Sequence, residues 1–194
     1  MFFYNSSYII LLSLTFSLFL QHVDVVSYYL RKKRMTGQLN ESFTIMNTFF
    51  HSYCIQGYEA WLKCEDKDRF DWTNQSRIHD YITATNKSLK HSSPWVDVGV
   101  VYLPVCFTDR SHWLLLAVTI RERSIMIYDS LSGNKNHRKM VTGHVQKIAE
   151  FLPLVLCSVG AFDGLGIEDT SSSKFKVGTY TNMPQQHNGY VLLL

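Results

Sequence analysis

Two apolar runs separated by a charged triplet constrain this chain more than any other feature. Trp113 to Ile120 reads WLLLAVTI, Ser124 to Tyr128 reads SIMIY, and between them stands Arg121-Glu122-Arg123. Short runs rich in β-branched and large apolar residues, joined by a brief polar connection, predict an antiparallel hairpin. In a hairpin the start of the first strand lies beside the end of the second. His112 and Asp129 are therefore expected at the same end of the sheet, with a bulge available to adjust the register.

An imidazole beside a carboxylate is half of a nucleophile-activating arrangement. The carboxylate accepts from one ring N–H and so fixes the tautomer, which leaves the other nitrogen able to take a thiol or hydroxyl proton. The same residues have a plainer reading. A His next to Trp113 at a strand edge is often structural, and Tyr128-Asp129-Ser130 is an ordinary strand exit into a turn. Further on, Gln186 offers an amide that can donate to a developing oxyanion, and losing one such donor typically costs roughly 100- to 1000-fold in rate. Taken alone, Pro184-Gln185-Gln186-His187-Asn188-Gly189 is also simply a turn.

The rest of the chain supplies the frame. His22 to Lys33 places Val23, Val26, Tyr29 and Leu30 on one helical face and ends in the basic run Arg31 to Arg34, which suits a helix C-terminus. Ser42 to Tyr53 predicts a second helix through Phe43, Met46 and Phe50, and the polar stretch from Cys64 to Ser93 predicts short helices and loops. Val98 to Leu103 reads as a strand closed by Pro104, and Lys174 to Tyr180 as a further strand. His137 to Phe151 reads as a helix ended by Pro153. Helices followed by a sheet with an inserted helix indicate an α+β fold.

At 194 residues and 46% hydrophobic, the chain suffices for one core. A net charge of +3 with 18% charged residues gives no reason to invoke nucleic acid. Cys54, Cys64, Cys106 and Cys157 lack CxxC spacing and histidine partners at zinc-ligand intervals, so no metal is expected; two disulfides or four free thiols fit equally. Tyr8 to Leu20 is uncharged and apolar but short for a membrane span, which needs roughly 20 residues. Residues 1–20 are set apart as an apolar segment of uncertain role, and 21–194 as the domain. Sequons at Asn5, Asn40, Asn74 and Asn86 lend some support to a secreted or membrane-anchored alternative.

Tyr102-Leu103-Pro104, His112-Trp113, Ile127-Tyr128-Asp129-Ser130 and Pro184-Gln185-Gln186-x-Asn188-Gly189 follow one another in an order and spacing that resembles the ubiquitin-like-protein-specific (SUMO) proteases, in the flavour of their plant, transposon-associated branch. His22-Val23-Asp24 and Tyr29-Leu30-Arg31 resemble the opening helix of that domain. The resemblance runs from about Leu20 to Tyr190 and is thinnest between Ser52 and Ser93. It implies a papain-like α+β cysteine-peptidase fold that cleaves after the C-terminal Gly-Gly of SUMO or another ubiquitin-like modifier. It implies His112 as general base, Asp129 as its orienting carboxylate, Gln186 as oxyanion donor, and Trp113 as a wall of the tunnel that grips the glycines. No cofactor is implied, and the expected state is a nuclear or cytoplasmic monomer; the alternative is anchoring through Tyr8 to Leu20.

The family pattern continues after Asn-Gly-Tyr with Asp-Cys-Gly and an apolar helix, whereas Tyr190 here is followed by Val191-Leu192-Leu193-Leu194. The expectation is a domain without its nucleophilic cysteine and catalytic helix, inactive as written. The alternative is a non-catalytic modifier-binding remnant or an unstable fragment.

Overall fold

The computed structural model describes residues 6–107, 112–131, 135–163 and 173–185, and of 6–19 the helical backbone alone. Its single sheet runs β1 (Phe43–Ile45), β2 (Val100–Phe107), β3 (His112–Thr119), β4 (Ser124–Tyr128) and β5 (Lys176–Thr179), in that spatial order. The three central strands are antiparallel, and β1 and β5 join the two flanks in parallel. The helices are α1 (Ser6–Met35), α2 (Phe50–Lys63), α3 (Ser76–Ile82) and α4 (Lys135–Ser158). The expected α+β architecture and the expected hairpin are both present. Thr119 pairs with Ser124 across the turn, where Arg123 takes φ 50°.

Alternation along the strands sorts the sheet into two unlike faces. Val101, Leu103, Val105, Leu114, Leu116, Val118, Ile125 and Ile127 share one face, and all are 5% exposed or less. Helices α2 and α4 join the same hydrophobic core through Phe50, Cys54, Val145, Ile148 and Leu152. Each large aliphatic side chain buried there is worth about 1.5–3 kcal/mol. The other face carries Tyr102, Pro104, Cys106, Trp113, Leu115, Met126 and Tyr128, and is less completely covered.

Three local expectations are corrected. The stretch 42–53 is not one helix. Phe43 to Ile45 pair with Val100 to Tyr102, and the Met46 N–H donates to the Tyr102 carbonyl at 2.9 Å before α2 begins. The helical spacing of Phe43, Met46 and Phe50 merges a strand residue, the residue that follows the strand and the first residue of a helix. Nor does Pro104 close its strand, since β2 continues to Phe107. The Tyr102 carbonyl faces β1, so Pro104, two residues on, turns its missing N–H to the same side, where β1 has already ended. Pro153 sits inside α4 rather than ending it. The carbonyl it leaves unbonded four residues earlier, Ala149, accepts instead from the Phe175 N–H at 2.9 Å. Burial of Val155 and Leu156 rewards the continued helix.

Helix α1 runs unbroken through residue 20 and is tied down by its second half. Asp24 accepts from the Thr48 N–H at 2.8 Å. Lys32, Lys33 and Arg34 occupy the last turn, where cations suit the helix dipole. Arg31, only 4% exposed, instead donates to the carbonyls of Ile45 (2.6 Å) and Lys90 (3.0 Å), and Arg34 donates to the Ser93 hydroxyl. Among the described residues, no helix is long and apolar enough to cross a membrane.

Gly57 permits the close approach of α2 to α4. A Cβ there would lie 2.6 Å from Gln75 Oε1 and 2.6 Å from the Phe151 ring. In an open helix Gly57→Ala would gain up to ~1 kcal/mol of propensity. Here overpacking is expected to win, destabilising the fold by about 1–3 kcal/mol. Urea unfolding of the two proteins measures the difference; a more stable alanine variant would contradict the packing described.

Candidate active site

His112 is the first residue of β3 and pairs with Phe107. Continuing the β3–β4 register past Leu115 and Tyr128 sets Asp129 across from Leu114, and so diagonally from His112 on the helix-covered face. Diagonal neighbours on one face lie within reach of long side chains. No bulge is needed: His112 Nε2 stands 2.7 Å from Asp129 Oδ1, with both side chains buried. That bond leaves Nδ1 on the far side of the imidazole. Asp129 also uses its position at the strand exit, because its Oδ1 accepts from the Leu131 N–H at 2.9 Å in an Asx turn.

A residue not singled out from sequence completes the cluster. His137, in the first turn of α4, brings its Nε2 to 2.8 Å from Asp129 Oδ2. Its ring meets His112 edge-on, with centroids 4.8 Å apart at 82°. The sequence signal was weak. His137 opens a helical pattern like any polar residue near a helix start, and its meeting with Asp129 depends on how α4 docks. Burial works to raise the Asp129 carboxyl, but hydrogen bonds from His112, the Leu131 N–H and His137 outweigh it and hold the group below its usual range. Among the described residues, His112, Asp129 and His137 are the one group whose three donor atoms, all within 4.8 Å of one another, could share a metal ion. The 2.7 and 2.8 Å separations are ordinary hydrogen-bond lengths, which account for the arrangement without one.

Trp113 points to the opposite face from His112. There it lines an apolar groove of about 590 Å³ with Pro104, Leu115 and Tyr128 of the sheet and His22, Val23 and Val26 of α1. Gln186 lies outside the described residues. Its neighbour Gln185 donates from Nε2 to the Met183 carbonyl at 3.1 Å and approaches the Asp129 carbonyl at 3.4 Å, which brings this segment against the site.

All four cysteines are free thiols. Cys106 pairs with Trp113 and therefore projects from the sheet face opposite His112. Cys54 is wholly buried among apolar side chains, which pushes its thiol far up. Cys64 follows the end of α2, bonded to the Asp66 carbonyl. Cys157 lies twenty residues beyond His137 on α4, about 30 Å along the axis.

Two further imidazoles sit on the same side of the sheet. His144, two turns along α4 from His137, lies 5.1 Å from the Phe107 ring and 5.6 Å from the His51 ring, centroid to centroid. Burial lowers both to about 4 from an ordinary 6.5, with the other ring adding to the effect on His51 and Lys147 to that on His144. The unfolded chain therefore takes up these protons first. The stability the neutral rings confer is complete above about pH 6.5 and is lost as pH falls toward 4; Asp129 acts in the same direction at still lower pH. Unfolding free energy is expected to drop by on the order of 2–3 kcal/mol per ring over that window. His144→Gln should flatten the slope, as read from denaturant unfolding at a series of pH values; an unchanged slope would contradict it.

A family model described as the Ulp1 protease family, C-terminal catalytic domain, matches residues 20–190. Similar solved structures include the C-terminal Ulp1 protease domain in complex with Smt3, the yeast ortholog of SUMO, at 18% identity over 77% of this chain and 51% of that one, with a TM-score of 0.40. Another is the SUMO protease Ulp1 with its catalytic cysteine oxidised to a sulfonic acid (18% identity, 86% and 58% covered, TM-score 0.43). A third is the Ulp1-like SUMO protease catalytic domain of Chaetomium thermophilum (15%, 82% and 52%, TM-score 0.33). The chain thus spans about half the length of these structures. No curated protein matches it. Helices around a five-stranded mixed sheet agree with the α+β, papain-like architecture of such proteases. With the match extending over residues 20–190, the chain belongs to the Ulp1 protease family, in its C-terminal catalytic domain.

Proposed function

We propose that this domain engages the C-terminal Gly-Gly tail of SUMO or another ubiquitin-like modifier, and that its chemistry is of the cysteine-peptidase class. The observation that carries the reading is the buried His112–Asp129 bond of 2.7 Å at the start of β3. In a cysteine-peptidase reaction at such a site, given a thiol beside it, His112 Nδ1 would accept the thiol proton, Asp129 would keep the ring oriented and stabilise the imidazolium, and the thiolate would attack the carbonyl of the terminal glycine. Gln186 donates to the resulting oxyanion. Trp113 lends a flat wall beneath which only glycines are thin enough to pass. The C-terminal Ulp1 protease domain, solved with Smt3, the yeast ortholog of SUMO, is a relative that binds such a modifier.

We further propose that the 194-residue polypeptide binds without cleaving. Cys106 faces away from His112, Cys54 is locked in the core, and Cys64 and Cys157 are placed by their own helices, so none of the four supplies the thiolate. Without a thiolate the oriented base has no covalent route.

Two assays test this. In calorimetry, a SUMO ending in Gly-Gly should bind, and removal of both glycines should weaken binding roughly 10-fold, or about 1.4 kcal/mol. A vinyl-sulfone probe built on the same modifier should form no adduct. Equal binding of both forms would sink the tail-binding reading, and a specific covalent adduct would overturn the claim of inactivity.

A further inference from the structure

The role given to His137 rests on the reading of His112 and Asp129 as base and orienting carboxylate. We propose that His137 is a positioning residue for that pair: by donating to Asp129 Oδ2 it fixes the carboxylate's rotation, and through it the tautomer that His112 presents.

The last torsion of an aspartate is broad and roughly two-fold, so a buried carboxylate held at one oxygen can swing. In this site Oδ1 serves both His112 Nε2 and the Leu131 N–H. Oδ2 is held by His137 Nε2 at 2.8 Å. With both oxygens engaged, the carboxylate plane is set by three donors from three separate pieces of chain: the start of β3, the turn after β4 and the first turn of α4. The third anchor matters because the other two share an oxygen, and two bonds to one oxygen leave rotation about the carboxylate axis weakly opposed. His137 is also 3% exposed, and its ring abuts the His112 ring edge-on at 4.8 Å, which restrains rotation of that imidazole.

The tautomer follows from acceptor chemistry. An ionised carboxylate only accepts, so both imidazoles must present Nε2–H to it, and His112 keeps its lone pair on Nδ1. Asp129 thus imposes one tautomer on two rings, and His137 keeps it in the orientation that does so.

Imidazole nitrogen NMR on the full 194-residue chain reads this directly. The parent should show His112 with a protonated Nε2, an unprotonated Nδ1 and a slowly exchanging Nε2–H. In His137→Leu, His112 should show averaged tautomer shifts and lose its slowly exchanging proton. His137→Gln, whose amide nitrogen reaches the same oxygen, should restore both. A residue that merely anchored α4 would lower thermal stability in the leucine variant and leave the His112 tautomer untouched, and that result overturns the proposal. So does a glutamine variant that fails like leucine.

Should the leucine variant not fold, Asp129→Asn decides. A carboxamide offers one acceptor and one donor, so the two rings can no longer share a tautomer. The carboxamide oxygen is expected to keep the place facing the Leu131 N–H, leaving His112 with Nε2–H and switching His137 to Nδ1–H. Two rings with unchanged tautomers would contradict the proposal. These readouts do not depend on modifier binding, so they stand or fall separately from the functional reading.

Discussion

One buried negative charge organises this site. Asp129 is 2% exposed, and an ionised carboxylate withdrawn from water without partners would cost several kcal/mol. Three N–H groups offset that cost, and each comes from a different part of the chain. The start of β3, the exit of β4 and the start of α4 must therefore arrive together for the charge to be tolerated. The Asp129 carbonyl also lies near the Gln185 amide, which draws in the segment after β5. Removing any one donor leaves a charged acceptor short of a partner in the interior, which is the costly half of the asymmetry between making and breaking buried hydrogen bonds.

The sheet then separates two tasks that adjoin in sequence. His112 and Trp113 are consecutive, yet strand alternation sends the imidazole to the helix-covered face and the indole to the groove beneath α1. A buried, low-polarity surrounding strengthens the His112–Asp129 bond, while the half-open apolar face is where the proposed tail would lie. The same alternation removes Cys106 from the chemistry, although it is near His112 in sequence and opposite Trp113 in the sheet.

What the sequence made legible was local. The hairpin follows from two runs and a charged turn, and with it comes the juxtaposition of His112 and Asp129. The misread elements failed where a local punctuation mark is answered from a distance. Pro153 reads as a helix stop because it frees the Ala149 carbonyl, and only the fold shows Phe175 arriving to take it. Pro104 reads as a strand end because it lacks an N–H, and only the sheet register shows that β1 has already ended beside it, so no ladder bond is lost. β1 hid within a helical spacing because a three-residue strand carries almost no period of its own. His137 escaped for the same reason: nothing near it in sequence announces a carboxylate eight residues earlier as its partner.

If Asp129 is the shared centre of the site, His112 and His137 must be energetically coupled through it although they belong to different elements. A double-mutant cycle on unfolding free energy, with His112→Leu, His137→Leu and the double variant, measures that coupling directly. Two residues meeting on one buried acceptor should depart from additivity by about 0.5–3 kcal/mol, and the departure should shrink when the cycle is repeated with Asp129→Ala, which leaves only the direct contact of the two rings. Strict additivity in the parent background would contradict the account.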